Sequence, residues 1–139
     1  MKTLALLIAL FLGTILSNAQ ETSTQDITVT IENVLNNKGK VHLALHTSDT
    51  FMKSDAIQSL SSTIEDSKVT VTFKNVEAGE YAILVLHDEN ENNRMDYLPS
   101  GMPKEAYAMS NNPMLLGPPR FEDAKFQLTN EDLNLSLRF

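Results

Sequence analysis

Residues 27–45 read ITVTIENVLNNKGKVHLAL, and this stretch decides the fold class. Ile27, Val29 and Ile31 alternate with Thr28, Thr30 and Glu32; Val41, Leu43 and Leu45 alternate with His42, Ala44 and His46. In a strand successive side chains point to opposite faces, so each run predicts a strand with one buried face. Between them lie Asn36, Asn37, Lys38 and Gly39, of which Asn and Gly enter the left-handed backbone region at little cost. The combination predicts a β-hairpin.

The period of two recurs along the chain. Val69, Val71 and Phe73 alternate with Lys68, Thr70, Thr72 and Lys74. Glu77-Ala78-Gly79-Glu80 then turns the chain into Tyr81–Leu86, which is apolar on both faces, as a central strand is. Two last runs follow, Phe126 with Leu128, and Leu133, Leu135, Leu137 and Phe139. Thr47–Asp66 has Phe51, Ala56, Ile57, Leu60 and Ile64 in neither period and predicts a short helix or an irregular edge strand. About seven short strands separated by turn residues predict an all-β fold, a single antiparallel β-sandwich.

Upstream, Met1 and Lys2 precede an almost wholly apolar run from Leu4 to Leu16, and Ser17-Asn18-Ala19 places small residues where a signal peptidase reads. Residues 1–19 are therefore expected to be a signal peptide cleaved after Ala19, residues 20–26 a flexible leader, and 27–139 the sandwich domain. The expected home is the periplasm or the exterior. The apolar run is shorter than the roughly 20 residues a membrane helix needs, so no transmembrane helix is expected.

The chain carries 11 Lys and Arg against 18 Asp and Glu, a net charge of −7, and loses one more positive charge with Lys2. Nucleic acid is excluded as a partner by that balance, because phosphate binding needs a basic face. An acidic surface is also repelled by anionic lipid. With no cysteine, the chain has no disulfide, no lipid anchor on a cysteine and no thiol chemistry.

One segment carries a chemical signal. The excursion from Asp88 to Pro119 is longer than most connections in a compact domain, and such loops are usually functional or disordered. It begins HDENENNRMD, with oxygen-bearing side chains at Asp88, Asn90, Asn92 and Asp96, which are positions one, three, five and nine of a calcium loop. Position seven supplies a backbone carbonyl, here that of Arg94. A hard cation takes six to eight oxygens, and a tightly turning backbone aims alternate side chains at one centre. Asn93 stands where such loops have glycine, and Pro99 where they have a bidentate Glu, a role left to Glu105 or water. Weak Ca2+ binding, about 0.1 to 1 mM, is one expectation. The other is a metal-free loop in which Asp88, Asn90 and Asn92 bond to nearby backbone N–H groups.

HDENENNRMD, the following SGMPKEAYAMSNN and GPPRFEDAKF, and the preceding GEYAILVLHD together resemble the bacterial domain-of-unknown-function 2141 family of exported proteins, over about Ile27 to Phe139. The resemblance implies a transthyretin-like or prealbumin-like sandwich, a form close to the immunoglobulin-like one, and a periplasmic or secreted home, with no established activity. Loops of that family usually read Asn-Gly at positions five and six, and Asn93 departs from that. Similar calcium loops in sandwich repeats of bacterial surface adhesins suggest a structural ion by analogy.

Other candidates are weaker. His42 and His46 lie four apart on a strand, about 13 Å at strand rise, too far to share an ion. His87 and Asp88 are neighbours on a strand and point to opposite faces. Pro103–Tyr107 suits the first turn of a short helix within the long loop. Lys104, Tyr107, Asn111, Asn112 and Arg120 could form a pocket for a carboxylate or sugar acid. No nucleophile, zinc-protease or phosphate-loop motif is present.

The leading expectation is therefore a non-catalytic binding or structural module of the cell envelope, with an envelope or extracellular partner. A hydrolase acting on an envelope polymer through Asp88, Glu89 and Glu105 is the first alternative. A small outer-membrane β-barrel, suggested by the alternation ending in Phe139, is the second.

Overall fold

The alternation at 27–31 and 41–45 does make two strands, but they do not pair. The computed structural model describes residues 23–114 and 116–139; the expected signal peptide, 1–19, and residues 20–22 of the leader lie outside the described residues. Eight strands run in the order β1 Thr24–Glu32, β2 Lys40–His46, β3 Gln58–Ser62, β4 Val69–Glu77, β5 Gly79–Asp88, β6 Tyr107–Met109, β7 Phe126–Leu128 and β8 Leu133–Arg138. A one-turn helix α1, Phe121–Ala124, precedes β7.

Two sheets result, one ordered β4-β1-β8 and the other β3-β2-β5-β6, with β7 also on β5. The chain crosses from the first sheet to the second between β1 and β2, so the expected hairpin is instead a connection between layers. Both strands have an apolar inner face, and facing each other across the core buries both, whereas a hairpin would need a second layer to cover it. Val34, buried midway, is the hinge of the crossing. Ala78 alone separates β4 from β5, which also lie in different sheets.

The core fills the space between the layers. Ile27, Val29 and Ile31 from β1 and Phe73 from β4 face Leu43 from β2 and Ile83 from β5, all nearly solvent-free. Each such side chain contributes about 1.5 to 3 kcal/mol when fully buried. The outer face of β1 is polar, with Thr28 and Thr72 hydroxyls 3.0 Å apart. β5 is buried on both faces as its sequence predicts, because Phe51, Ala82, Met109 and Ala124 form a second apolar cluster outside the five-stranded sheet.

Several expectations need correction. β1 begins at Thr24, inside the expected leader, because Thr24 and Gln25 pair with Glu77 and Val76 beyond a bulge. The sandwich is not wholly antiparallel, since β8 runs parallel to β1. Of the two expectations for the segment 47–66, the edge strand is the one realised, as β3. Pro103–Tyr107 is no helix: Pro103 makes a bridge with Tyr97, and Tyr107 opens β6, an unexpected strand within the long excursion. The helical turn lies later, at α1. Neither sheet closes on itself and apolar side chains pack the interior, so the fold is not a membrane barrel, whose apolar band faces outward. No helix among the described residues is long and apolar enough to cross a membrane.

Candidate functional site

The last residue of the central strand β5, Asp88, anchors the long loop. Lys40 opens β2 directly opposite. Gly39, just before it, has φ +66°, and a Cβ there would lie 1.9 Å from the Asp88 carbonyl oxygen. Only glycine allows this approach, so the turn and the loop are locked together at one point.

Asp88 is fully buried, and its carboxylate accepts three hydrogen bonds: from Asn92 N at 3.2 Å, Asn93 N at 2.7 Å and His42 Nε2 at 3.1 Å. Burial pushes its pKa up, but the two backbone N–H groups and then His42 outweigh this and hold it below 3.8. Asn90 and Asn92 make the local turns that their side chains favour, Asn90 Oδ1 accepting from Asn92 N at 3.2 Å and Asn92 Oδ1 from Arg94 N at 3.1 Å. Glu91 and Asn93 adopt positive φ, which Asn93 tolerates in place of glycine.

Three of the four side chains picked out by spacing meet at one of them. Asn90 Nδ2 donates to Asp96 Oδ2 at 2.7 Å and Asn92 Nδ2 to Asp96 Oδ1 at 3.0 Å. Glu105, which the sequence offers in place of a twelfth-position Glu, is buried at the loop's base. Its carboxylate accepts from Glu89 N and Asp96 N, both at 3.1 Å, and so ties the two ends of the turn together. Among the described residues, no three His, Asp or Glu side chains stand close enough to hold an ion as they lie. The amide nitrogens of Asn90 and Asn92 occupy the positive role beside Asp96. A half-turn of each amide would present oxygens instead, but only by giving up the bonds that Asn90 Oδ1 and Asn92 Oδ1 accept from the Asn92 and Arg94 N–H groups.

The histidines separate as strand geometry requires. His87 points to the core, its Nε2–H donating to the Lys38 carbonyl at 2.8 Å, while Asp88 points to the other face and meets His42. Sequence reasoning did not find the His42–Asp88 pair, because a cross-strand diagonal depends on register. His46 is buried against Phe51, with ring centroids 5.8 Å apart.

The expected ligand pocket is not assembled as a set. Tyr107 and Asn112 line a recess of about 410 Å³, together with Met109, Met114, Arg138 and Phe139. Asn111 is turned away to the Lys125 carbonyl at 2.7 Å, and Arg120 lies 3.5 Å from Asp123. Lys104 is exposed on the long loop. Ser110 escaped sequence reasoning: its hydroxyl accepts from Ile83 N at 2.9 Å and donates to the Ala124 carbonyl. It fills the gap along β5 between β6 and β7.

A family model described as "Uncharacterized protein conserved in bacteria (DUF2141)" matches residues 29–136. No curated protein matches. Among solved structures, a pilus-presented adhesin, Spy0125 (Cpa), aligns with 84% of this chain at 13% identity and a TM-score of 0.30. The chain spans only 26% of that adhesin's length.

Proposed function

The chain belongs to the DUF2141 family, and from that premise we propose that it is an exported, non-catalytic binding or structural module of the cell envelope whose 88–96 loop is stiffened by weakly bound calcium. The convergence of Asn90 and Asn92 on the Asp96 carboxylate carries this reading, because it gathers calcium-loop positions at one centre. Asp88 and Glu105 stand behind that centre, each accepting hydrogen bonds from backbone N–H groups. The Arg94 carbonyl and water would complete the oxygen set. The ion would supply no chemistry beyond holding the loop. Hydrolysis is less well supported, since Asp88 and Glu105 are both engaged by backbone donors and withdrawn from solvent.

Thermal melting in calcium tests this. With a Kd near 1 mM, calcium at ten times that concentration adds about 1.4 kcal/mol, or roughly 5 °C for a domain of this size. Asp88→Ala is expected to abolish the rise. Asp96→Asn, which leaves the buried Asp88 network intact, should reduce it several-fold. An unchanged wild-type melting temperature in calcium would overturn the ion.

A further inference from the structure

One polar atom in the core has no role in holding the sandwich together. His87 is fully buried, and its Nδ1 has no hydrogen-bond partner among the described residues. A carbonyl only accepts, so the bond from Nε2 to the Lys38 carbonyl at 2.8 Å fixes the proton of the neutral ring on Nε2. Nδ1 is therefore a bare acceptor, and a buried polar atom left unpaired in a native fold calls for an explanation. Sheet order gives its direction. β5 lies between β2 and β6, and Lys38 precedes β2, so Nε2 reaches toward the β2 side. The two nitrogens of an imidazole diverge widely, which turns Nδ1 away from β2. On the β6 side stands Phe139, its ring centroid 5.9 Å from that of His87. The same Phe139 is a wall of the recess of about 410 Å³ that Tyr107, Ala108 and Met109 line from β6.

We infer that this recess, between the edges β6 and β8, is the mouth of a site for a small neutral molecule with an apolar body and one hydroxyl, a phenol or an alcohol, whose hydroxyl donates to His87 Nδ1 once Phe139 turns aside. The polar end selects the class. A carboxylate has no proton to give to Nδ1, which removes the acid expected of a pocket at Tyr107 and Asn112. An ammonium could donate, but its burial in an apolar site is costly, and Arg138 on the rim repels it. Asn112 holds the β8 edge from both ends of its amide, so the inner hydrogen bond falls to His87. The rest of the recess suits an apolar body: its volume lies in the range of small-molecule sites, and Met109 and Met114 are side chains that reshape around a guest. Met114 is 81% exposed and contributes nothing to the core. Phe139 is free to turn without breaking the sheet, because the ladder of β8 with β1 runs only as far as Arg138.

The inference deepens the binding half of the proposed reading and does not rest on calcium, so it is tested in EGTA. The probes are para-tert-butylphenol and its methyl ether, which share an apolar body but differ in the donor. Calorimetric titration should show the phenol binding about tenfold more tightly, the worth of one hydrogen bond. The nitrogen-15 signal of His87 Nδ1, correlated with the ring protons, should move on adding the phenol and stay in place with the ether. Met114→Ser, at an exposed side chain, should weaken both probes alike and leave the melting temperature unchanged. His87→Phe should bind the two probes equally; if that variant does not fold, the Nδ1 signal of the wild type still decides. No binding of the phenol, equal affinity of the wild type for both probes, or an Nδ1 signal that the phenol leaves in place, as when ordered water already holds that atom, would each overturn the inference. A failed calcium melt with intact phenol binding would remove the ion alone, and the converse would remove this site alone.

Discussion

Single residues decide where charge is tolerated in this protein. His46 illustrates it: burial holds its imidazole below 6.5, with a hydrogen bond to Thr50 opposing the shift only in part. On acidification the unfolded chain takes up the proton before the folded one, so the stability tied to neutral His46 is complete above pH 6.5 and is lost as pH falls below it. The loss cannot exceed about 1.4 kcal/mol per pH unit for one group. Melting between pH 7.5 and 5.5 should show a falling midpoint, and His46→Phe, which keeps the packing on Phe51, should flatten that slope. An equal slope in the variant would place the effect elsewhere. Asp88 acts in a separate window, its contribution holding above 3.8 and disappearing as pH falls through its depressed folded value. These environments were only half legible in the sequence. The strand alternation placed His87 and Asp88 on opposite faces, but the burial of His46 depends on Phe51, which arrives from a turn with no readable period.

Elements show how an exposed edge is managed. β8 is the outer strand of its sheet, and Asn112 blunts it, donating from Nδ2 to the Ser136 carbonyl and accepting from Arg138 N, both at 3.0 Å. One amide thus imitates a neighbouring strand, which protects an edge that would otherwise invite pairing. Asn112 also has φ +46°, a conformation its residue type tolerates. Asn112→Ala should lose about 1 to 3 kcal/mol, read from the urea midpoint, with faster amide exchange at Arg138. Asn112→Asp, which keeps the acceptor, should be intermediate. Strands of five or more residues were legible wherever one face alternated, as in β1, β2, β4 and β8. The three-residue β6 was not, because Tyr107-Ala108-Met109 carries no period and is a strand only through its ladder with Leu84–Leu86.

At the level of the whole molecule, the last strand pairs with the first, and the fold is complete only when β8 joins β1. Leu137, buried in the main core, lies at this closure. Leu137→Ala is expected to cost about 2 to 5 kcal/mol and to shift denaturant unfolding without splitting it, followed by circular dichroism and tyrosine fluorescence alike. A separate early transition would mean that β8 is peripheral. The candidate site was legible in part as spacing: Asn90 and Asn92 do meet Asp96, whereas Asp88 is turned to His42 and to the Asn92 and Asn93 N–H groups, and Glu105 reaches the loop only through backbone N–H groups. By itself the sequence determined the all-β class, the inner faces of the long strands and the loop that carries chemistry, because alternation and turn residues act over a few neighbours. Only the tertiary structure decided that residues 27–31 and 41–45 lie in different sheets, that β8 runs parallel to β1, and that His42 meets Asp88. Those outcomes depend on which apolar faces cover one another across the core, and a local pattern cannot distinguish a paired strand from an opposed one.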